Sequence, residues 1–236
     1  MSTADLLFYI SLPVLTGVVL LIALISYIIS KFRKKNDTQN EEDKDSYHEE
    51  ISINDYIGMM GESEVDLILR EIQEEIGGEV YKNLILKNSL NHYTEIDNIY
   101  VSLYGIFIIE TKTWSGIVKG DYDDNEWENI FGRGNIVYRR KNPFKQNRGH
   151  IKFFKQVICK NCKITPVVVF IKDRIESIES KDVVLSDKLK GFILEHKYQI
   201  MDKTKYDYIV KRLNEFRDHP VLSHKEYVKL QKERFE

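Results

Sequence analysis

Three charged residues stand where charge is costly. Asp97 lies within Thr94-Glu95-Ile96-Asp97-Asn98-Ile99, and Glu110 and Lys112 lie within Ile108-Ile109-Glu110-Thr111-Lys112. Both segments sit in apolar runs with the pattern of strands, and Gly105 falls between them. A carboxylate or ammonium placed in a sheet is unfavourable unless it is paired or bound to a metal. Two carboxylates are hard oxygen donors suited to Mg²⁺, which binds through one or two of them and fills its other positions with water and phosphate. Such an ion acidifies a water and stabilises charge on a phosphate oxygen, while a lysine can position the water or stabilise the transition state. The plainer use of the same residues is a structural ion pair, Asp97 with Lys112, of little energetic value.

The flanking elements decide whether the three meet. With Tyr104-Gly105 as a two-residue hairpin loop, Leu103 opposes Ile106, Ile99 opposes Glu110 and Asp97 opposes Lys112. Opposed residues share a face, and so do residues two apart on one strand, which puts the three on one face. A loop one residue longer, without a bulge, would split them across the sheet.

Around this hairpin, apolar spacing predicts a helix from Asp55 to about Ile76, stopped by Gly77-Gly78, with Glu62 near its start. A carboxylate there also complements the helix dipole. Strands are expected at 79–86, 93–103 and 106–114, then a small meander at 117–119, 126–128 and 136–138. Asn142-Pro143 is a strong helix start, and the helix running to about Cys159 aligns Gln146, His150 and Phe153 along one side. His150 is expected to be a surface or packing residue rather than a ligand. Thr165 to Ile171 reads as a central strand covered on both faces. A short strand at 182–185 and helices at 187–195, 203–216 and 225–235 would cover the sheet.

Four ordered motifs carry a family resemblance. Gly61-Glu62-x-x-Val65, Glu95-Ile96-Asp97-Asn98-Ile99, Gly105 through Gly116 (with Glu110-Thr111-Lys112-Thr113-Trp114-Ser115) and Asn142-Pro143-x-x-Gln146 resemble the nuclease-related domain, NERD, a branch of the PD-(D/E)xK nucleases. The similarity spans roughly residues 55 to 170. It implies an α/β, restriction-endonuclease-like α-β-β-β-α-β core with a mixed central sheet flanked by helices. It also implies an active-site set of Glu62, Asp97, Glu110 and Lys112, with Gln146 as an additional polar residue. Asp97 and Glu110 would be ligands of Mg²⁺ or Mn²⁺, and DNA the substrate in preference to RNA.

Charge distribution agrees with a phosphate-bearing partner. The net charge of −2 makes no general case for nucleic acid, yet Asn129 to Lys172 contains 11 Lys or Arg and no Asp or Glu. Arg133, Arg139, Arg140, Lys141, Lys145 and Arg148 are the expected nucleic-acid contacts. A solvated face, or one facing anionic lipid, is the other use of such a run. Gly132-Arg133-Gly134 reads as a turn, since no helix follows it directly.

Leu6 to Ser30 is an uncharged run of 25 residues, long enough to span a bilayer core of about 30 Å as a helix. Lys31-Phe32-Arg33-Lys34-Lys35 follows it, which places the N-terminus outside and the rest in the cytoplasm of a single-pass membrane protein. Residues 31–50 form a basic, then acid-rich linker, 51–175 the nuclease-like domain, and 176–236 a strand and helices that complete or cover it. Cys159 and Cys162 have no second pair with which to build a zinc site and are expected as free thiols. The functional expectation is a membrane-anchored metal-dependent nuclease. The alternative is an inactive, membrane-tethered nucleic-acid-binding or sensing module on the same fold.

Overall fold

Ser52 opens the first helix, α1 (Ile53–Ile76), by accepting the Asp55 N–H on its hydroxyl at 3.1 Å. The computed structural model describes residues 52–132, 136–171, 174–175, 182–196 and 198–233. The expected membrane span and linker lie outside them, as does Arg133; among the described residues no helix is long and apolar enough to cross a membrane. At the other end of α1, the Gly77 N–H closes on the Gln73 carbonyl. Gly78 then lets the chain pass close beneath the sheet. Its φ is 108°, and a Cβ there would sit 2.6 Å from the Val101 carbonyl oxygen.

A five-stranded mixed sheet follows, in the order β1 (Glu79–Lys87), β2 (Tyr93–Ser102), β3 (Gly105–Lys112), β7 (Ile164–Phe170), β9 (Val183–Leu185). β1, β2 and β3 are antiparallel neighbours, whereas β7 runs parallel to both β3 and β9. The continuous apolar runs of β3 and β7 follow from that central place, because helices cover both faces. On one face Val65, Leu69 and Ile72 of α1 pack with Phe107, Ile109 and Val167, joined by Leu189 and Ile193 of α3 (Ser186–Leu194). On the other, Ile99, Ile106 and Ile108 meet Phe154 of α2 (Pro143–Val157) and Ile209 and Leu213 of α4 (Lys203–Asp218). A last helix, α5 (His224–Glu233), has no buried residue.

The meander forms a second sheet, in the order β6 (Ile136–Lys141), β5 (Glu126–Phe131), β4 (Ile117–Lys119), β8 (Arg174–Ile175). Trp127 and Val118 anchor it against Phe144 and Phe170. The two-residue β8 has no counterpart in the sequence pattern; it exists by parallel pairing with β4. Cys159 and Cys162 are not free thiols. The turn after α2 brings their Cα atoms to 5.7 Å, a separation a disulfide spans, and they are bonded.

α1 touches the end of the central hairpin at Gly61. A Cβ there would lie 2.2 Å from Thr113 Cγ2 and 3.1 Å from Ile171 Cγ1. Gly61→Val is therefore expected to overpack this contact and cost about 1–3 kcal/mol. The measurement is a urea titration, with a lower midpoint at unchanged slope.

Candidate active site

The observed hairpin corrects the expected register. Ser102 pairs with Gly105, Val101 with Ile106 and Ile99 with Ile108, so the loop is Leu103-Tyr104 and not Tyr104-Gly105. Ser102 Oγ accepts the Tyr104 N–H at 3.2 Å, and the Leu103 carbonyl accepts the N–H groups of Ile200 and Met201. These contacts fix the turn one residue before its expected place, which shifts the strand pairing by two. Continued by two steps, the pairing sets Asp97 against Glu110 rather than Lys112. A shift of two leaves every side chain on its expected face, and the three charges still converge.

Glu110 is 1% exposed. Lys112 Nζ donates to its Oε1 at 2.5 Å and to Gln146 Oε1 at 3.2 Å. His150 Nε2 stands 3.2 Å from Glu110 Oε2, yet neither atom has a hydrogen bond, and His150 Nδ1 lies 2.8 Å from Thr94 Oγ1. Asp97 Oδ2 accepts the Thr111 N–H at 2.8 Å, a side-chain substitute for a ladder bond where β2 and β3 part. Glu62 occupies the flank, its Oε2 accepting from Asn83 Nδ2 at 3.0 Å. Asn83 sits in β1 at φ 50°, a left-handed conformation that asparagine tolerates better than most residues.

Two asparagines place α2 so that Gln146 and His150 face this cluster. Asn142 caps the helix through the Phe144 N–H and donates to the carbonyls of Asp121, Tyr122 and Asp124. Asn147, fully buried, donates to the carbonyls of Ile108 and Val167 on adjacent strands. The Asn-Pro pattern announced the cap. Nothing local announced Asn83, Asn147, Thr94 or the role of His150, although His150 lies one helical turn beyond Gln146.

Charges in the cluster oppose and support one another. Burial first, and then the charge of Glu110, holds Asp97 well above the usual carboxylate range. Burial pushes Glu110 up as well, but Lys112 and then His150 outweigh it and hold that carboxyl below its ordinary value. Burial disfavours the Lys112 ammonium, yet Glu110 and Asp97 overcome it and hold Lys112 above its ordinary value. The site therefore pairs one firmly ionised carboxylate with one that resists ionisation.

A stability consequence follows for Asp97. A carboxyl raised in the folded state contributes stability below its unfolded value, about 3.9, and loses it as pH rises through the folded value. Asp97→Asn keeps the neutral form and an acceptor for the Thr111 N–H. In chelator, it is expected to melt a few degrees above the parent at pH 8, with the gap closing toward pH 4. Circular dichroism melts across that range measure it.

The basic residues lie around the second sheet and the start of α2. Arg139, Arg140 and Lys141 are exposed on β6. Arg140 donates to Asn129 Oδ1 and its guanidinium lies 5.4 Å from the ring centre of Trp114, two residues beyond Lys112. Lys145 Nζ donates to Asn125 Oδ1 at 2.6 Å, and Arg148 lies 4.9 Å from the Tyr122 ring. A cavity of about 400 Å³ beside β4 and β5 carries Asp124, Glu126 and Glu128 and includes none of the cluster.

Among the described residues, no three of His, Cys, Asp and Glu form a metal-holding group. A cation that retains its waters needs fewer protein ligands. Glu110 Oε2, buried without a hydrogen bond 3.2 Å from His150 Nε2, and the Asp97 carboxylate that it influences are the residues that could hold such a cation.

An uncharacterized protein of Bacillus anthracis is 29% identical over 102 residues, which cover 43% of this chain and 46% of that protein. The chain thus spans less than half the length of that relative. The crystal structure of a protein of unknown function, AF1548, aligns over 73% of this chain and 95% of its own, with a TM-score of 0.30 and 16% identity. Residues 57–171 match the family described as nuclease-related domain. Glu62, Asp97, Glu110, Lys112 and Gln146 all fall inside that span, so the match to the nuclease-related domain, NERD, takes in the whole candidate cluster.

Proposed function

We propose that this chain is a membrane-anchored, metal-dependent nuclease built on a restriction-endonuclease-like core, hydrolysing phosphodiester bonds in DNA rather than RNA. The observation that carries the proposal is Glu110. It is buried between Lys112 and His150, with no hydrogen bond on the oxygen that faces His150 and with the Asp97 charge acting on the same site. Asp97 and Glu110 would hold Mg²⁺ or Mn²⁺, which when bound supplies an acidified water and charge stabilisation at phosphate. Lys112, steadied by Glu110 and Gln146, presents its ammonium to the attacking water or to developing phosphate charge. Glu62, steadied by Asn83, assists metal or water from the flank. Arg133, Arg139, Arg140, Lys141, Lys145 and Arg148 contribute the positive field that draws a polyanion. The uncharged run at 6–30 and the basic residues after it support a domain tethered at the cytoplasmic face of the membrane.

The test is incubation of the purified full-length chain with labelled DNA and RNA in Mg²⁺, Mn²⁺ or chelator. Cleavage is expected with metal only, and loss of it in both Glu110→Ala and Lys112→Ala. Cleavage persisting in both variants would overturn the assignment. Binding without cleavage under every metal would establish the other reading, a non-catalytic tethered module.

A further inference from the structure

A groove of about 720 Å³ opens along α2 directly beside the cluster. Gln146 and His150 line it and also touch Lys112 and Glu110, so whatever occupies the groove adjoins the candidate site. Its walls combine three kinds of chemistry. Tyr93 and Phe153 offer aromatic rings, Gln156 and Gln231 offer amides, and Lys152 offers a positive charge. No Asp or Glu lines it, in a chain that has 37 of them. Lys87 adds a second ammonium 5.6 Å from the Tyr93 ring centre.

We propose that this groove binds a single-stranded segment of nucleic acid, taking one or two unstacked bases next to the phosphate presented to Glu110 and Lys112. The inference rests on the nuclease reading above and names the form of its substrate. Aromatic rings bind nucleic acid by stacking on exposed base faces, which a duplex keeps covered by its own neighbouring base pairs. Amides suit base edges, because each carries both a donor and an acceptor. The volume lies within the 300–1,000 Å³ or so typical of small-ligand sites, enough for bases and not for a double helix. A duplex reader inserts a protruding helix or ribbon into a groove of the DNA. Here the protein is concave, so the nucleic acid supplies the insert.

The experiment measures binding apart from cleavage. Fluorescence anisotropy with the full-length chain in EDTA compares a labelled 12-nucleotide single strand with a blunt duplex of the same sequence. The single strand is expected to bind at least tenfold more tightly. Tyr93→Leu and Phe153→Leu, which keep apolar bulk and remove the ring, are each expected to weaken single-strand binding about tenfold and leave duplex binding unchanged. An oligonucleotide carrying 5-iodouracil is expected to photo-crosslink to Tyr93 or Phe153, mapped by mass spectrometry. Equal affinity for the two forms, or unchanged single-strand affinity in both variants, would overturn the groove assignment. If metal-dependent cleavage is nevertheless present, the nuclease reading survives that failure. Ring-dependent single-strand binding without cleavage of any substrate would leave the groove in place and remove the nuclease.

Discussion

Glu110→Gln is expected to abolish metal-dependent cleavage and to cost the fold about 3–5 kcal/mol, the range for breaking a buried ion pair by removing one partner. The carboxylate is 1% exposed and takes the Lys112 ammonium on one oxygen. Glutamine preserves the shape but removes the charge that most strongly sustains Lys112 against burial. The ammonium must then stay charged without its principal partner or give up its proton, and either outcome destabilises the folded chain. Urea denaturation reads the stability, and initial cleavage rates in Mg²⁺ read the chemistry. Parent-like stability would show that the pair contributes nothing to the fold, and surviving cleavage would remove Glu110 from the reaction.

Lys112→Met is expected to lower the cleavage rate by about 10²–10³, the scale for losing one electrostatic donor at a reacting centre. Its stability effect depends on pH. In the parent, Glu110 is held below its ordinary value, so its contribution is present above the unfolded value of about 4.3 and fades as pH falls through the folded one. Without Lys112, the strongest influence that holds the carboxyl down is gone and its folded value moves upward. The stability that Glu110 contributes above about 4.3 shrinks accordingly. Lys112 itself is raised in the parent, and its contribution stays constant until pH climbs past about 10.4. The gap between parent and variant should therefore widen steadily from pH 4 to pH 8. Urea midpoints across that interval measure it, and a gap that narrows toward pH 8 would contradict the pairing.

Local patterns anticipated the elements that rest on local physics. The apolar spacing of α1, the Asn142-Pro143 start of α2 and the continuous run of β7 each reflect a single element and the face it buries. The period of two in β2 and β3 was enough to gather Asp97, Glu110 and Lys112 on one face. The register was not available in the same way. It depends on the Leu103 carbonyl meeting Ile200 and Met201, a contact between segments far apart in the chain. Partner choice was hidden for the same reason. His150 looks like any helical histidine until the fold sets it beside Glu110 and Thr94. The N-cap asparagine has a sequence signature, whereas Asn147, reaching two strands at once, has none.

That last contact bears on how the molecule comes apart. By bonding the carbonyls of Ile108 and Val167 together, Asn147 fastens α2 to two neighbouring strands from inside the protein. Helix and strand pair then belong to one cooperative opening unit, shielded from fraying at the helix ends. Gln146 and His150 keep their distances to Lys112 and Glu110 for as long as that unit stays closed. The cluster is therefore expected to be lost by opening of that unit rather than by gradual loosening of its surface, an outcome hydrogen exchange across β3 and β7 measures.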